Sequence, residues 1–136
     1  MKVIYIFALV LSICSCSMSN GAEQAAGRYY EAMKEDNVDV MKSLLDDTKW
    51  FSITPGTNIG LKDYELGEAI IDGESATLQT ITISDSGFRG EFDTVLVKKN
   101  NDWFVSYEKT LKNKLEAARK AKKIEMNMEV KINPVE

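Results

Sequence analysis

Two kinds of periodicity divide the chain. From Ala22 the apolar positions Ala22, Ala25, Ala26, Tyr29, Tyr30 and Met33 recur at the spacing of one helical face. Asn20, with Glu23 in capping-box position, starts this helix, and Asp36-Asn37 stops it. Val38, Met41, Leu44 and Leu45 share the face of a second helix, capped by Asn37 and ended by Asp46-Asp47-Thr48. Lys49 to Lys62 has no period, and Pro55-Gly56 marks a turn within it. Trp50 and Phe51 lie in this interval. Rings of that size are costly to leave in water, so both are expected to pack back on the domain, at a pocket edge.

From Tyr64 the texture changes to strands. Tyr64–Ile71 and Ser75–Ser84 flank Asp72-Gly73-Glu74, a hairpin turn signal. In the second strand the apolar positions are Ala76 and Leu78, then Ile81 and Ile83, a change of phase that predicts a bulge near Gln79-Thr80. Asp85-Ser86-Gly87 turns the chain into a strand over Phe92–Lys98. Asn100-Asn101-Asp102 leads to another over Trp103–Thr110, with Trp103, Val105 and Tyr107 on one face. Two helices followed by an antiparallel meander is an α+β plan, the helices covering one face of a curved sheet.

The end of the chain adds two elements to that plan. Leu111, Leu115 and Ala118 form a narrow apolar stripe, surrounded by Lys112, Lys114, Arg119, Lys120, Lys122 and Lys123, which predicts a basic amphipathic helix. Ile124, Met126, Met128, Val130 and Ile132 then alternate with polar residues, the pattern of an extra edge strand ended by Pro134, with no Gly or Pro separating it from the helix.

The beginning is of another kind. Lys2 precedes an apolar run from Val3 to Ile13 that only Ser12 interrupts, too short to span a bilayer as a helix and patterned as a secretory signal peptide. Ile13-Cys14-Ser15-Cys16 resembles the aliphatic-small-small-Cys box of bacterial lipoproteins, with Cys14 an unusual residue at its middle. Lipidation at Cys14 fits less well, because Ile13 would then stand where a small residue is wanted. An ordinary cleaved signal or an uncleaved anchor are the alternatives. The resemblance implies cleavage before Cys16, a diacylglyceryl thioether on its sulfur and often a further palmitate-type amide chain, a combination that anchors stably where one chain would not. It also implies an extracytoplasmic, envelope location on the periplasmic side, at the outer membrane if the host has two membranes, since Ser17 permits export there. The divisions are 1–15 signal peptide, 16–21 lipidated tether, 22–110 folded domain, and 111–136 basic helix and terminal strand.

Charge narrows the partners. Residues 16–97 carry 6 basic and 15 acidic side chains, whereas 98–123 carry 9 basic and 3 acidic ones. An acidic body argues against nucleic acid. The basic helix has three readings: a solvated cover, a contact for anionic lipid, or a dock for an acidic protein partner, with Arg119, Lys120, Lys122 and Lys123 as the contact residues. The chain has no histidine, and both cysteines, Cys14 and Cys16, precede the folded domain. The commonest general base and zinc ligand are thereby missing, and no cofactor is expected. Asp72-Gly73-Glu74 and Asp85-Ser86-Gly87 lack the spaced acids of a calcium loop and read as turns, so no metal is expected.

The paired helical start with Tyr29-Tyr30, the second helix ending in Leu44-Leu45, and the meander closing on Asp102-Trp103-Phe104-Val105 together resemble the ketosteroid isomerase/nuclear transport factor superfamily over residues 22–110. Small lipoprotein-associated domains of that superfamily are the most similar. The resemblance implies a cone-shaped sheet around a long helix with a cavity at the open end, for which Tyr29, Met33, Trp50, Phe51, Phe92 and Trp103 are the candidate lining. Enzymes of the superfamily use a carboxylate and a tyrosine there, which here would be Tyr29 or Tyr30 with Asp93 or Asp63. No convergent motif accompanies those residues, so the expectation is a non-catalytic binding protein for a small molecule, peptide or partner protein. A cavity enzyme of the isomerase or dehydratase type and a structural envelope-assembly role are the alternatives.

Growth in labelled palmitate tests the anchor. Label should enter the wild-type protein and be absent from Cys16→Ser, and an unlabelled wild type would refute the lipid.

Overall fold

The computed structural model describes residues 21–132, with side chains to Asn127. The leader, Cys16, the Asn20 cap and Pro134 lie outside the described residues. The architecture is α+β. Helices α1 (Gly21–Lys34) and α2 (Val38–Ser43) precede strands β1 (Leu61–Leu66), β2 (Ile70–Asp72), β3 (Ser75–Ser84), β4 (Arg89–Lys99) and β5 (Asp102–Val105), and helix α3 (Tyr107–Ile132) follows. The sheet is antiparallel in the order β1-β3-β4-β5, with β2 also paired to β3.

Local chemistry sets the joints. Asp36 takes a left-handed backbone at the end of α1, and its carboxylate accepts the Ile59 amide at 2.8 Å, tying the aperiodic segment to the helix. The Asn37 side chain accepts the Val40 amide at 3.2 Å, capping α2 as expected. Asn100 and Asn101 both have positive φ, which makes the two-residue β4–β5 link a type I′ turn whose twist matches the strands.

The core lies between α1 and the sheet. Ala22, Ala26, Tyr29 and Tyr30 of α1 pack with Met41, Leu78, Leu96 and Val105, all 2% exposed or less. Leu78 or Leu96, fully buried, contributes roughly 1.5–3 kcal/mol through burial of its side chain.

Four expectations need correction. No bulge interrupts β3 against β4: every pair from Ser75↔Val97 to Ile83↔Arg89 keeps one register. The inward phase continues through Thr80, which is fully buried although polar, while Ile81 and Ile83 face the other side. The irregularity lies instead on the β1–β2 side. Tyr64–Ile71 is not one strand but two, and the chain takes one residue more from Leu66 to Ile70 than β3 takes from Thr80 to Thr77. The Trp103–Thr110 strand stops at Val105 and α3 begins at Tyr107, because the Ser106 carbonyl already accepts the Thr110 amide. Ile124–Ile132 is helical and adds no edge strand. Nothing breaks the helix after Lys123, Glu and Met favour its continuation, and adding a turn to a formed helix is easier than starting a new strand.

Thr80 explains how a polar residue holds an inward position. Its hydroxyl lies 2.6 Å from that of Thr94, which lies 2.7 Å from the Tyr30 hydroxyl, so three buried hydroxyls satisfy one another in a chain from sheet to helix. Thr94→Val removes the middle hydroxyl, takes away the Tyr30 partner and leaves Thr80 only the Leu78 carbonyl at 3.4 Å. It should cost roughly 2–3 kcal/mol, whereas Tyr30→Phe should cost about 1 kcal/mol. Urea unfolding of both variants checks this, and equal losses would contradict the chain.

Candidate functional site

The outer edge of β4 decides where α3 lies. β5 pairs only with Leu96 to Lys99, leaving the preceding part of β4 without a strand partner on that side. The start of α3 supplies one. Thr110 Oγ1 accepts the Val95 amide at 3.0 Å, Asn113 Nδ2 donates to the Asp93 carbonyl at 3.2 Å, and the Ser106 amide donates to the Val95 carbonyl at 2.8 Å. Beyond β5, the segment after α2 continues the sheet: the Val105 amide donates to Leu44 and the Asp46 amide to Val105. With both places covered, the start of α3 and the aperiodic segment stand across from α1.

A cavity of about 130 Å³ remains between them. Helix α1 contributes Tyr29, Tyr30 and Met33, and β4 contributes Phe92. Ile53 and Ile59 of the aperiodic segment close one side; Tyr107, Thr110, Leu111 and Lys114 of α3 close the other. The lining is apolar apart from hydroxyls and one ammonium group, and among the described residues no carboxylate borders it.

The two tyrosines of α1 differ. Their rings meet edge to face with centroids 5.2 Å apart. Tyr30 is bonded to Thr94; burial pushes its hydroxyl up to about 12, partly countered by the threonine hydroxyls. Tyr29, 2% exposed, lines the cavity and has no hydrogen-bond partner among the described residues. Burial, then Tyr30 and Tyr107, raise Tyr29 well above the ordinary tyrosine range. Both groups therefore stay protonated and can donate at neutral pH.

Of the six residues expected at a pocket, Tyr29, Met33 and Phe92 line this cavity. Phe51 stands behind Tyr107 at a 5.3 Å ring distance, and Lys42 lies over its ring. Trp50 is 57% exposed, borders a different groove with Leu111, Leu115 and Arg119 along α3, and lies under Lys49. Trp103 packs beside Gly21, where an added Cβ would come within 3.0 Å of its ring. The acids are also apart from the cavity: Asp63 is exposed and 3.9 Å from Lys34, and Asp93 is an exposed residue of β4. The tyrosine–carboxylate contact that exists joins Tyr64 to Glu31 at 3.1 Å, where burial and then Glu31 raise the tyrosine. Arg119, Lys120, Lys122 and Lys123 are exposed along α3, with Lys120 bordering a hollow beside Glu91. Among the described residues no group of His, Cys, Asp and Glu could hold a metal, and no helix is long and apolar enough to cross a membrane.

Sequence reasoning did not find Ile53 and Ile59, which stand where the chain has no period. It did place Leu111 on an apolar helical stripe and Lys114 on a basic helix. What it lacked was the β4 edge that draws that stripe to the cavity.

No protein-family model and no curated protein matches the chain. A solved Campylobacter jejuni structure, described as a candidate NTF2-like transpeptidase, is similar at 17% identity with a TM-score of 0.46, covering 62% of this chain and 95% of the other.

The buried tyrosines set an alkaline limit. The folded state holds their protons more tightly than the unfolded chain, whose tyrosines titrate near 10.0, so their stabilisation is complete below that pH; the Tyr30 share is lost as pH rises through about 12, and the Tyr29 share at still higher pH. The urea midpoint should fall across this window, and less steeply in Tyr29→Phe. A phenolate absorbance that rises near pH 10 for every tyrosine of the still-folded protein would contradict the burial.

Proposed function

We propose that the protein is a non-catalytic, lipid-anchored binding protein of the cell envelope, held on the extracytoplasmic side of a membrane through Cys16, and that the cavity beside Tyr29 is its binding site. The observation that carries this is the cavity itself: apolar walls from four separate segments around a tyrosine hydroxyl that has no partner among the described residues. Its size favours a small ligand or one side chain of a peptide, because whole drug-sized ligands occupy roughly 300 Å³ or more. That no carboxylate among the described residues borders the cavity speaks against the carboxylate–tyrosine isomerase or dehydratase chemistry, which needs a base within reach of the substrate. The membrane association rests on the leader alone.

A second reading concerns α3. Its stretch from Ala118 to Asn127 is exposed throughout, and at the helical spacing the cations Arg119, Lys120, Lys122 and Lys123 fall on one face, opposite a narrow apolar side of Ala118, Ala121 and Ile124. So narrow an apolar side favours an acidic protein partner over burial in a bilayer.

Ligand-observed NMR with a set of small apolar fragments tests the cavity. Benzene-sized fragments should bind the wild type and lose binding in Leu111→Phe, which fills the space, while unfolding of the variant is monitored in parallel. Equal binding to both proteins would remove the small-ligand version and leave protein contact.

A further inference from the structure

We propose that the occupant of the cavity is a carboxylate carrying a compact apolar tail, with the tail among Met33, Ile59, Phe92 and Leu111 and the carboxylate held by the Tyr29 hydroxyl and Lys114. This rests on the reading of the cavity as the binding site and adds the chemistry of what enters it.

Size limits the tail. The cavity measures about 130 Å³, close to the roughly 150 Å³ apolar void that accepts benzene in another protein. A phenyl ring or a branched aliphatic group therefore fills it.

Polarity selects the head. Tyr29 offers a protonated hydroxyl with no partner among the described residues. Lys114 borders the cavity, its ammonium stands 5.6 Å from the centre of the Phe92 ring, and it has no ion pair among the described residues. The site thus presents a donor and a positive charge, with no acid among the described residues bordering it. A neutral apolar guest would leave the hydroxyl unmet, and an amine would meet like charge. A carboxylate answers both groups through charge-assisted hydrogen bonds. A single cation beside apolar walls suits a monoanion better than a more strongly hydrated phosphate dianion.

The carboxylate could belong to a free small acid or to the C-terminus of a peptide. Calorimetric titration of the purified full-length protein separates these sources with four probes: phenylacetate, benzyl alcohol as its neutral counterpart, and the tripeptide Ala-Ala-Phe with a free or an amidated C-terminus. Phenylacetate should bind about tenfold more tightly than benzyl alcohol, the effect of one charge-assisted bond. Lys114→Gln, a change at an exposed position, should erase most of that ratio by weakening the acid more than the alcohol. Tyr29→Phe should weaken the acid more than the alcohol. A free-acid peptide that binds more tightly than phenylacetate, with amidation abolishing the gain, identifies a peptide terminus as the source; binding of phenylacetate without the peptide identifies a free acid. Equal affinity for acid and alcohol in the wild type overturns the carboxylate while the cavity reading stands. Binding of neither overturns the cavity reading as well.

Discussion

A strand as long as β4 cannot leave its outer edge unpaired, and β5 is too short to cover it. An exposed row of amides and carbonyls is both a loss of hydrogen bonding and a template for association. The chain meets this constraint with side chains: Thr110 and Asn113 bond to backbone groups that a strand would otherwise satisfy. This fixes the start of α3 along β4, brings Tyr107 and Leu111 opposite Tyr29, and so creates the cavity. A helix packed only by apolar contact could slide; one bonded to successive residues of a strand edge has a defined register.

The same economy of polar groups governs the interior. Thr80 and Thr94 occupy inward positions where β-branched hydrocarbons would be usual, and they are tolerated because Tyr30 closes the hydroxyl chain. Tyr29, next to it in sequence, has no such partner among the described residues and lines the cavity instead. Two adjacent tyrosines thus divide into one that joins helix to sheet and one that lines the cavity.

Much of the fold was legible because burial followed period. The face of α1, the Asn37 cap, the hairpin turns and the α+β plan all come from residues whose local preference agrees with their place in the whole. The reading failed where polar residues took buried positions or where a pattern served two states. Counting Thr80 as outward produced a bulge that β3 does not have. Alternation from Ile124 to Ile132 looked like a strand, although the same Glu, Met and Lys residues extend a helix readily. The candidate site was legible in Tyr29, Met33 and Phe92, which sit on periodic elements. Trp50 and Trp103 were chosen for ring size, which says that a residue wants cover but not which cover it finds. Ile53 and Ile59 belong to a segment whose course is set by distant contacts such as Asp36 to Ile59.

The direction of α3 has a bearing on how the molecule would stand on a bilayer. Gly21 begins α1 beside Trp103, near the Asn100-Asn101 tip of the sheet. Helix α3 runs the other way along β4, from Val95 past Asp93 toward Glu91, and its stretch after Ala117 continues for about 22 Å at the usual helical rise. A tether leading into Gly21 would hold the sheet tip lowest and raise that cationic rod on the far side, as a mast whose height above the lipid is set by the length of the body beneath it.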